Sequence, residues 1–482
     1  MNTQYHERNI SMVMDMYELT MSNGYLNQGF KDTWVVFDVF YRNNPDNGGF
    51  AIFAGLQQVV EYIENLHFSE EDVEYLRSKR LFTEEFLEYL LHFRFRGDIY
   101  AMKEGTVMYP NEPVMTVVAP LIDAQLIETT ILLEINHQSL IATKTNRIVQ
   151  AANGKPVSDF GARRAHNVDA AVYGARAAYI GGAAGTATVL AGKMFHIPIS
   201  GTMAHSWVMT FDSEYDAFKA YAESYPDGTV LLVDTYDVLK SGVPNAIRTA
   251  REVLEPMGKK LIGIRLDSGD LAYLSKEARK MLDEAGLPDC MIVASNSLDE
   301  YTISSLNRQG AKIDSYGVGE RLITSSSTPV FGAVYKLVAI QKDGKFIPKI
   351  KISETAEKIT NPGIKEVYRV YDENGKAVAD YLAVKGEQIR DFEPVRYVDP
   401  VNYWKNRSFV GCRFKKLQVP VFEKGKRIYD LPDIEEIRQY VKDQLENEIW
   451  EEEQRFENAH THYLDMSPAM FELKMSLLHE EN

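Results

Sequence analysis

Cysteine is nearly missing: the 482 residues hold two, Cys290 and Cys412, far apart in the chain. That excludes a disulfide framework and a cysteine-rich zinc site, and a reduced cytoplasmic interior fits best. Long apolar runs are missing too. No stretch approaches the roughly 18 residues that mark a membrane helix, and "MNTQYHERNISMVMDMYELT" has no apolar core of signal-peptide length, so neither a span nor a leader is expected. Positive charge is short: 53 Lys and Arg face 69 Asp and Glu, a formal charge of −16. So acidic a chain is a poor holder of a phosphate backbone, which sets nucleic acid aside as a partner. Handling a small anion would require arginines gathered locally.

The common nucleotide loops are absent as well. "AGKMF" (191–195) looks like the tail of a Walker A loop, but Ala187 stands where its first glycine belongs and Met194 where Ser or Thr should be. "YGVGERL" carries Gly317 and Gly319, half a dinucleotide fingerprint, with Leu322 in the third glycine's place. What remains is a Gly-x-Gly whose bare amides suit one phosphate, or a tight turn.

What is present has a rhythm. Apolar residues make up 45% and charged residues 25%, ordinary for a soluble globular protein, and the length asks for two or three domains or a barrel with additions. From about residue 156, apolar runs recur at Val157–Phe160, Ile197–Ile199, Val230–Val233, Leu261–Leu266, Met291–Ala294, Ile313–Tyr316 and Ala333–Ile340. Amphipathic stretches such as "NAIRTAREVLEP" and "DLAYLSKEARKMLDEAG" lie between them. Buried strands alternating with helices predict an α/β fold with a parallel sheet, and so many units in so short a span predict a closed β/α barrel. The expected division is an N-terminal α+β domain over 1–150, a barrel over 151–345 and a C-terminal extension over 346–482. In the first, residues 95–120 read as antiparallel strands. In the last, "DENGKAV" and "EKGKRIYDLP" read as turns and 433–460 as a solvated acidic helix, with His460 and His462 exposed beyond it.

The ends of the runs carry the chemistry. They read "SDFGARR", "SGTMAHS", "VDTYD", "RLDSGD", "ASNSLDE" and "YGVGERL", and in a barrel all of them share the face where active sites sit. In "IRLDSGDL", Arg265, Asp267 and Asp270 flank Ser268-Gly269. Two carboxylates beside an arginine suit a Mg²⁺ together with a sugar diphosphate, while Ser268 or Asp270 also suits the N-cap of the helix that follows. Asp234 and Asp237 stand in the same relation to their strand. Phe160 followed by Arg163 and Arg164 suits a flat aromatic acid, by stacking and a charge-assisted pair; a core phenylalanine with two surface arginines fits equally. His205 has no histidine or cysteine at metal-ligand spacing, which disfavours zinc. It is then a packed residue, or one that moves a proton or attacks as a nucleophile.

Taken together, "DMYELTMSNGY", "FYRNNPDNGGFAIFAGL", "SDFGARR", "GTMAHSW", "LLVDTYD", "IRLDSGDL", "SNSLDEY", "YGVGERL" and "GAVYKLVA" resemble the nicotinate phosphoribosyltransferase family through nearly the whole chain. The resemblance implies an irregular α/β barrel with a flanking N-terminal domain, in a cytoplasmic homodimer whose sites are completed across the interface. It implies the joining of nicotinate to phosphoribosyl pyrophosphate, giving nicotinate mononucleotide and pyrophosphate for NAD biosynthesis, with Mg²⁺ and coupled ATP hydrolysis. By motif, His205 corresponds to the histidine that ATP transiently phosphorylates. Phe160 and the partner subunit's Tyr17 resemble the pair that sandwiches the pyridine ring. Arg163 and Arg265 would face the base carboxylate and the phosphates, and Asp234 and Asp267 the ribose and base. Thr202, Ser206, Ser268, Gly269, Ser295, Asn296, Gly317 and Gly319 would hold the ribose and phosphates, and Arg42 the neighbouring subunit's phosphates. Asp267 and Asp270 are the candidates for the metal.

The related nicotinamide phosphoribosyltransferase has an aspartate after Gly-Thr in its "GTDT"-like segment. Here the segment is "GTAT" (185–188) with Ala187 at that place, which disfavours the amide. A barrel aldolase or isomerase would be expected to offer a strand-end lysine, and none of the six ends supplies one; Lys336 lies within its apolar run. A non-catalytic scaffold would not be expected to keep His205, Asp267 and Arg265.

Overall fold

The computed structural model describes residues 8–355, 358–404 and 406–480. The chain divides into two compact units, one of residues 1–140 with 330–482 and one of residues 141–329.

In the first unit the strand Trp34–Phe40 is apolar but for Asp38, and six of its seven residues are buried. Asp38 is tolerated there because Lys365 and the Thr116 hydroxyl both donate to it. This strand is central to a seven-stranded sheet that also holds Met115–Pro120, Asp98–Met102, Val334–Lys342 and Gln418–Glu423. Asp98–Met102 and Met115–Pro120 pair antiparallel, as expected for 95–120. Two expectations change here. Ala333–Ile340 is not a barrel strand: Val334–Lys342 runs antiparallel to Trp34–Phe40, because an apolar run does not declare which sheet will bury it. Strands from the two ends of the chain also share this one sheet, so 1–150 and 346–482 are not separate bodies.

The turn at "DENGKAV" joins Lys365–Tyr371 to Ala377–Val384 in an antiparallel pair, within a second sheet of six strands. The acidic stretch forms the helix Ile434–Asp443, one wide turn and the short helix Glu451–Gln454. It is not merely solvated, since Ile437, Val441, Ile449 and Glu453 are buried. His460 is exposed. His462 is buried, stacked on Tyr109 with ring centroids 3.7 Å apart and bonded to Glu453 at 3.0 Å. Glu453 is nine residues away, but Tyr109, which covers the ring, is remote in sequence and beyond the reach of local pattern.

The second unit is built on a six-stranded, all-parallel sheet in the order Gly185–Thr186, Val157–Asp159, Ser315–Val318, Met291–Ser295, Gly263–Leu266, Val230–Leu232. The inner strands are short and buried, as two-sided cover by helices requires. Leu231, Leu232, Ile264, Leu266 and Ile292 are fully enclosed against the helices, each contributing roughly 1.5–3 kcal/mol. Among the described residues the pairing does not close into a full barrel. Ile197–Ile199 makes only a bridge from Ile199 to Thr186, and Pro198 in its middle has no N–H to give a ladder. The fold is thus the irregular, barrel-like α/β type, with every strand delivering its C-terminal end to one face.

Candidate active site

That face holds a cavity of about 450 Å³. Its wall is made by the loops that follow the strands, and it gathers Arg163, Arg164, Arg265 and Arg321 against two carboxylates, Asp267 and Glu320. A chain of net charge −16 has therefore concentrated cations at one place, the arrangement a small anionic ligand needs. A depression of similar size in the other unit, lined by Lys31, Tyr89 and His92 among others, has no converging strand ends.

Phe160 follows the strand Val157–Asp159, and Asp159 sets the turn. Its buried carboxylate accepts from the Gly161 N–H at 2.8 Å and from the Thr186 hydroxyl at 2.7 Å, and burial holds its acid above the usual carboxylate range. The Phe160 ring lies directly over Gly317: a Cβ there would sit 2.4 Å from ring carbons. The first glycine of "YGVGERL" is thus a seat for an aromatic ring, whatever its amide does. Asn296 and Ser297 on the wall both have positive φ, 81° and 53°, a costly backbone of the kind that persists at functional sites. Asp299 receives Arg321 at 2.5 Å and caps the helix Glu300–Arg308, so it joins two of the cavity loops.

On the other wall, Arg265 donates to Thr202 and its buried Nε has no partner. Burial lowers its pKa from the ordinary arginine value, against the pull of Asp267 and Asp234. Asp234 accepts from the Asp267 N–H at 3.0 Å and the Ser268 hydroxyl at 2.6 Å. Asp267 in turn takes the Ser295 hydroxyl. His205 opens the helix His205–Thr210. Its Nε2 lies 3.7 Å from Asp267 and 4.0 Å from Asp234, and its Nδ1 is bonded to the Thr235 hydroxyl at 3.1 Å. An imidazole so placed is bonded at Nδ1, faces two carboxylates with Nε2 and remains 39% exposed, open to a reactant.

Of the residues singled out from sequence, Phe160, Arg163, Thr202, Arg265, Asp267, Ser295, Asn296, Gly317 and Gly319 line the cavity, and His205, Asp234 and Ser268 join them through the bonds just given. Ser206 is exposed, its carbonyl taking the Thr210 hydroxyl. Gly269 has φ +79° and shapes the turn, and Asp270 caps Leu271–Glu284 by accepting from the Tyr273 N–H at 3.0 Å; neither is among the lining residues. Tyr17, on the helix Met16–Asn27 and 41% exposed, belongs to the first unit. So does Arg42, whose guanidinium lies 5.6 Å from the Phe40 ring centre. Arg321, Ser297 and Thr235 carry the site without having been singled out. The strand-end rule that found their neighbours would have found them too.

Residues 12–136 match the nicotinate phosphoribosyltransferase (NAPRTase) N-terminal domain, 156–374 the NAPRTase family and 364–474 the NAPRTase C-terminal domain. The chain is 46% identical to nicotinate phosphoribosyltransferase of Bacillus subtilis over 99% of its own length and 96% of that protein's. It belongs to the nicotinate phosphoribosyltransferase family. The nicotinate phosphoribosyltransferase of Dictyostelium discoideum is 36% identical, over 96% of this chain and 87% of that one. In structure the chain resembles human nicotinic acid phosphoribosyltransferase, with a TM-score of 0.86, 27% identity and coverage of 96% and 99%. It also resembles the nicotinate-nucleotide pyrophosphorylase of Pyrococcus furiosus, with a TM-score of 0.69, 26% identity and coverage of 92% and 97%. No helix among the described residues is long and apolar enough to cross a membrane. Ala187 also lines the cavity and offers only a methyl group to it.

Proposed function

We propose that the protein is a nicotinate phosphoribosyltransferase of NAD biosynthesis, joining nicotinate to phosphoribosyl pyrophosphate and releasing pyrophosphate. The observation that carries this reading is a cavity in which an aromatic ring, four arginines and two carboxylates meet. The Phe160 ring offers one face to the pyridine, and Arg163 and Arg265 meet the base carboxylate and the phosphates. Asp267 and Asp234 stand where positive charge develops at the ribose as the diphosphate leaves, and Ser295, Asn296 and the amides near Gly319 hold the sugar phosphate. The pyridine nitrogen arrives as the nucleophile with no proton to lose, so positioning and charge stabilisation make up most of the catalysis. Ala187 leaves no acceptor for an amide nitrogen, which favours the acid over nicotinamide.

Among the described residues no three His, Cys, Asp or Glu converge to hold a metal by themselves. That fits a Mg²⁺ that arrives with the substrate phosphates and takes one or two carboxylates. Asp267 is the residue to hold it; Asp270 is engaged as a helix cap. The ion when bound would offset the charge of the departing diphosphate. His205 accepts a phosphoryl group from ATP and so couples hydrolysis to the cycle, and the protein works as a cytoplasmic homodimer with sites completed across the interface. The deciding assay is pyrophosphate release from phosphoribosyl pyrophosphate with nicotinate or nicotinamide, each with and without ATP. Release with nicotinate, accelerated by ATP, is expected; equal turnover of the amide, or none of the acid, would sink the reading.

A further inference from the structure

We propose that Thr235 is the positioning residue for His205, holding the ring so that Nε2 faces the two carboxylates and Nδ1 is the nitrogen turned to react. The geometry is asymmetric about the imidazole. Nε2 faces two carboxylates, Asp267 at 3.7 Å and Asp234 at 4.0 Å, whereas Nδ1 faces one hydroxyl, Thr235 Oγ1 at 3.1 Å. Carboxylates only accept, so the proton of a neutral ring belongs on Nε2, pointing at them. Asp234 Oδ1 has no other partner although it is buried, and so is available to that proton. Nδ1 then holds the lone pair, and the Thr235 O–H, which donates as readily as it accepts, donates to it.

Thr235 is well placed to hold this arrangement. It directly follows Asp234 just past the strand Val230–Leu232, so one loop positions groups on both edges of the ring. Asp234 is itself anchored by the Asp267 N–H and the Ser268 hydroxyl. Without the hydroxyl the ring is free to turn about its Cβ–Cγ bond, and Nδ1 loses the hydrogen bond that holds it. The consequence rests on the reading of His205 as the phosphoryl acceptor. In that step the N–P bond forms as the bond from Pγ to the β–γ bridging oxygen breaks, and ADP leaves with the electron pair. An attacking Nδ1 that already lacks a proton needs no base, and the Thr235 hydroxyl turns aside as the phosphorus approaches.

The test compares Thr235→Val, which keeps the shape and removes the hydroxyl, with Thr235→Ser, which keeps the hydroxyl. Two readouts are used in the full-length protein: crystal structures of the His205 ring, and the initial rate of acid-labile labelling by [γ-³²P]ATP. In Thr235→Val the ring should leave its wild-type orientation and labelling should slow by about tenfold or more; Thr235→Ser should match wild type within about twofold. An unmoved ring with an undiminished labelling rate in Thr235→Val would overturn the proposal, as would an equal loss in Thr235→Ser. If wild type itself takes no label, His205 is not the acceptor, and the ring orientation in the two variants still decides the role of Thr235.

Discussion

The smallest feature that decides the site is the bare Cα of Gly317. Its φ is not in the left-handed region, so backbone freedom is not the reason for glycine; the reason is the Phe160 ring, which a Cβ would meet at 2.4 Å. Gly317→Ala should displace the ring, cost about 1–3 kcal/mol of stability and raise the KM for nicotinate more than that for phosphoribosyl pyrophosphate. Unchanged KM values would show that the ring does not contact the base. At His205 the chemistry separates from the scaffold. Its ring is part-exposed and packs little, so His205→Ala should fold normally and lose ATP hydrolysis, leaving slow ATP-independent formation of the mononucleotide. An acid-labile label persisting in that variant would assign the phosphoryl group elsewhere.

Among the elements, the segment around His462 is the most consequential outside the site. Arg369 pairs with Asp380 at 2.8 Å with both side chains buried, and the Tyr109 hydroxyl donates to Glu453 at 2.6 Å. Glu112 lies in the same cluster; burial and then Asp380 hold its acid well above the usual range, so it keeps its proton while Asp380 stays ionised. Burial alone would lower the His462 pKa, but Asp380 and Glu453 outweigh it and raise it. This cluster ties strands of the six-stranded sheet to the chain between Glu451 and Met466. His462→Ala leaves Glu453 and Asp380 short of a buried partner and should cost about 2–4 kcal/mol, read as a lower urea midpoint. A loss below a few tenths of a kcal/mol would mean that water replaces the imidazole freely.

For the molecule as a whole, buried groups that hold a proton in the folded state shape the pH response, Glu18 and His462 among them. Glu18 accepts from the Thr129 N–H at 3.2 Å and from its hydroxyl, yet burial raises its pKa from 4.5 to about 7. Between those values the folded state holds a proton that the unfolded chain has lost, so stability falls as pH rises, by roughly 3 kcal/mol at most. His462 acts in the same direction: its contribution is complete below the unfolded value of 6.5 and is lost as pH rises through its higher folded value. The melting temperature should therefore decline from pH 5 to pH 8, and Glu18→Gln should flatten the lower part of that slope. A rising curve, or one that Glu18→Gln leaves unchanged, would contradict this. The proposed shared dimer site has its own test. Mixing Tyr17→Ala and His205→Ala chains after unfolding and refolding should restore about a quarter of the ATP-coupled activity, since half the dimers then carry one intact site; no recovery would place each site within one chain.

Local order was legible in the sequence alone. The strand ends, the placing of Arg265 beside Asp267 in one strand end and the cap at Asp270 lie within a few residues of one another, and strand period and capping chemistry act over that range. The same holds for the clustering of arginines after successive strands, which any parallel sheet delivers to one face. What the sequence could not determine depends on which distant segments meet. Val334–Lys342 reads as a barrel strand until Trp34–Phe40 is seen to claim it, and His462 reads as exposed until Tyr109 and Glu453 are seen to enclose it. Gly317 reads as a phosphate loop until Phe160 occupies the space above it, and Thr235 has no role until His205 is beside it. Pairing and burial are properties of contacts between remote residues, so the tertiary structure decided them.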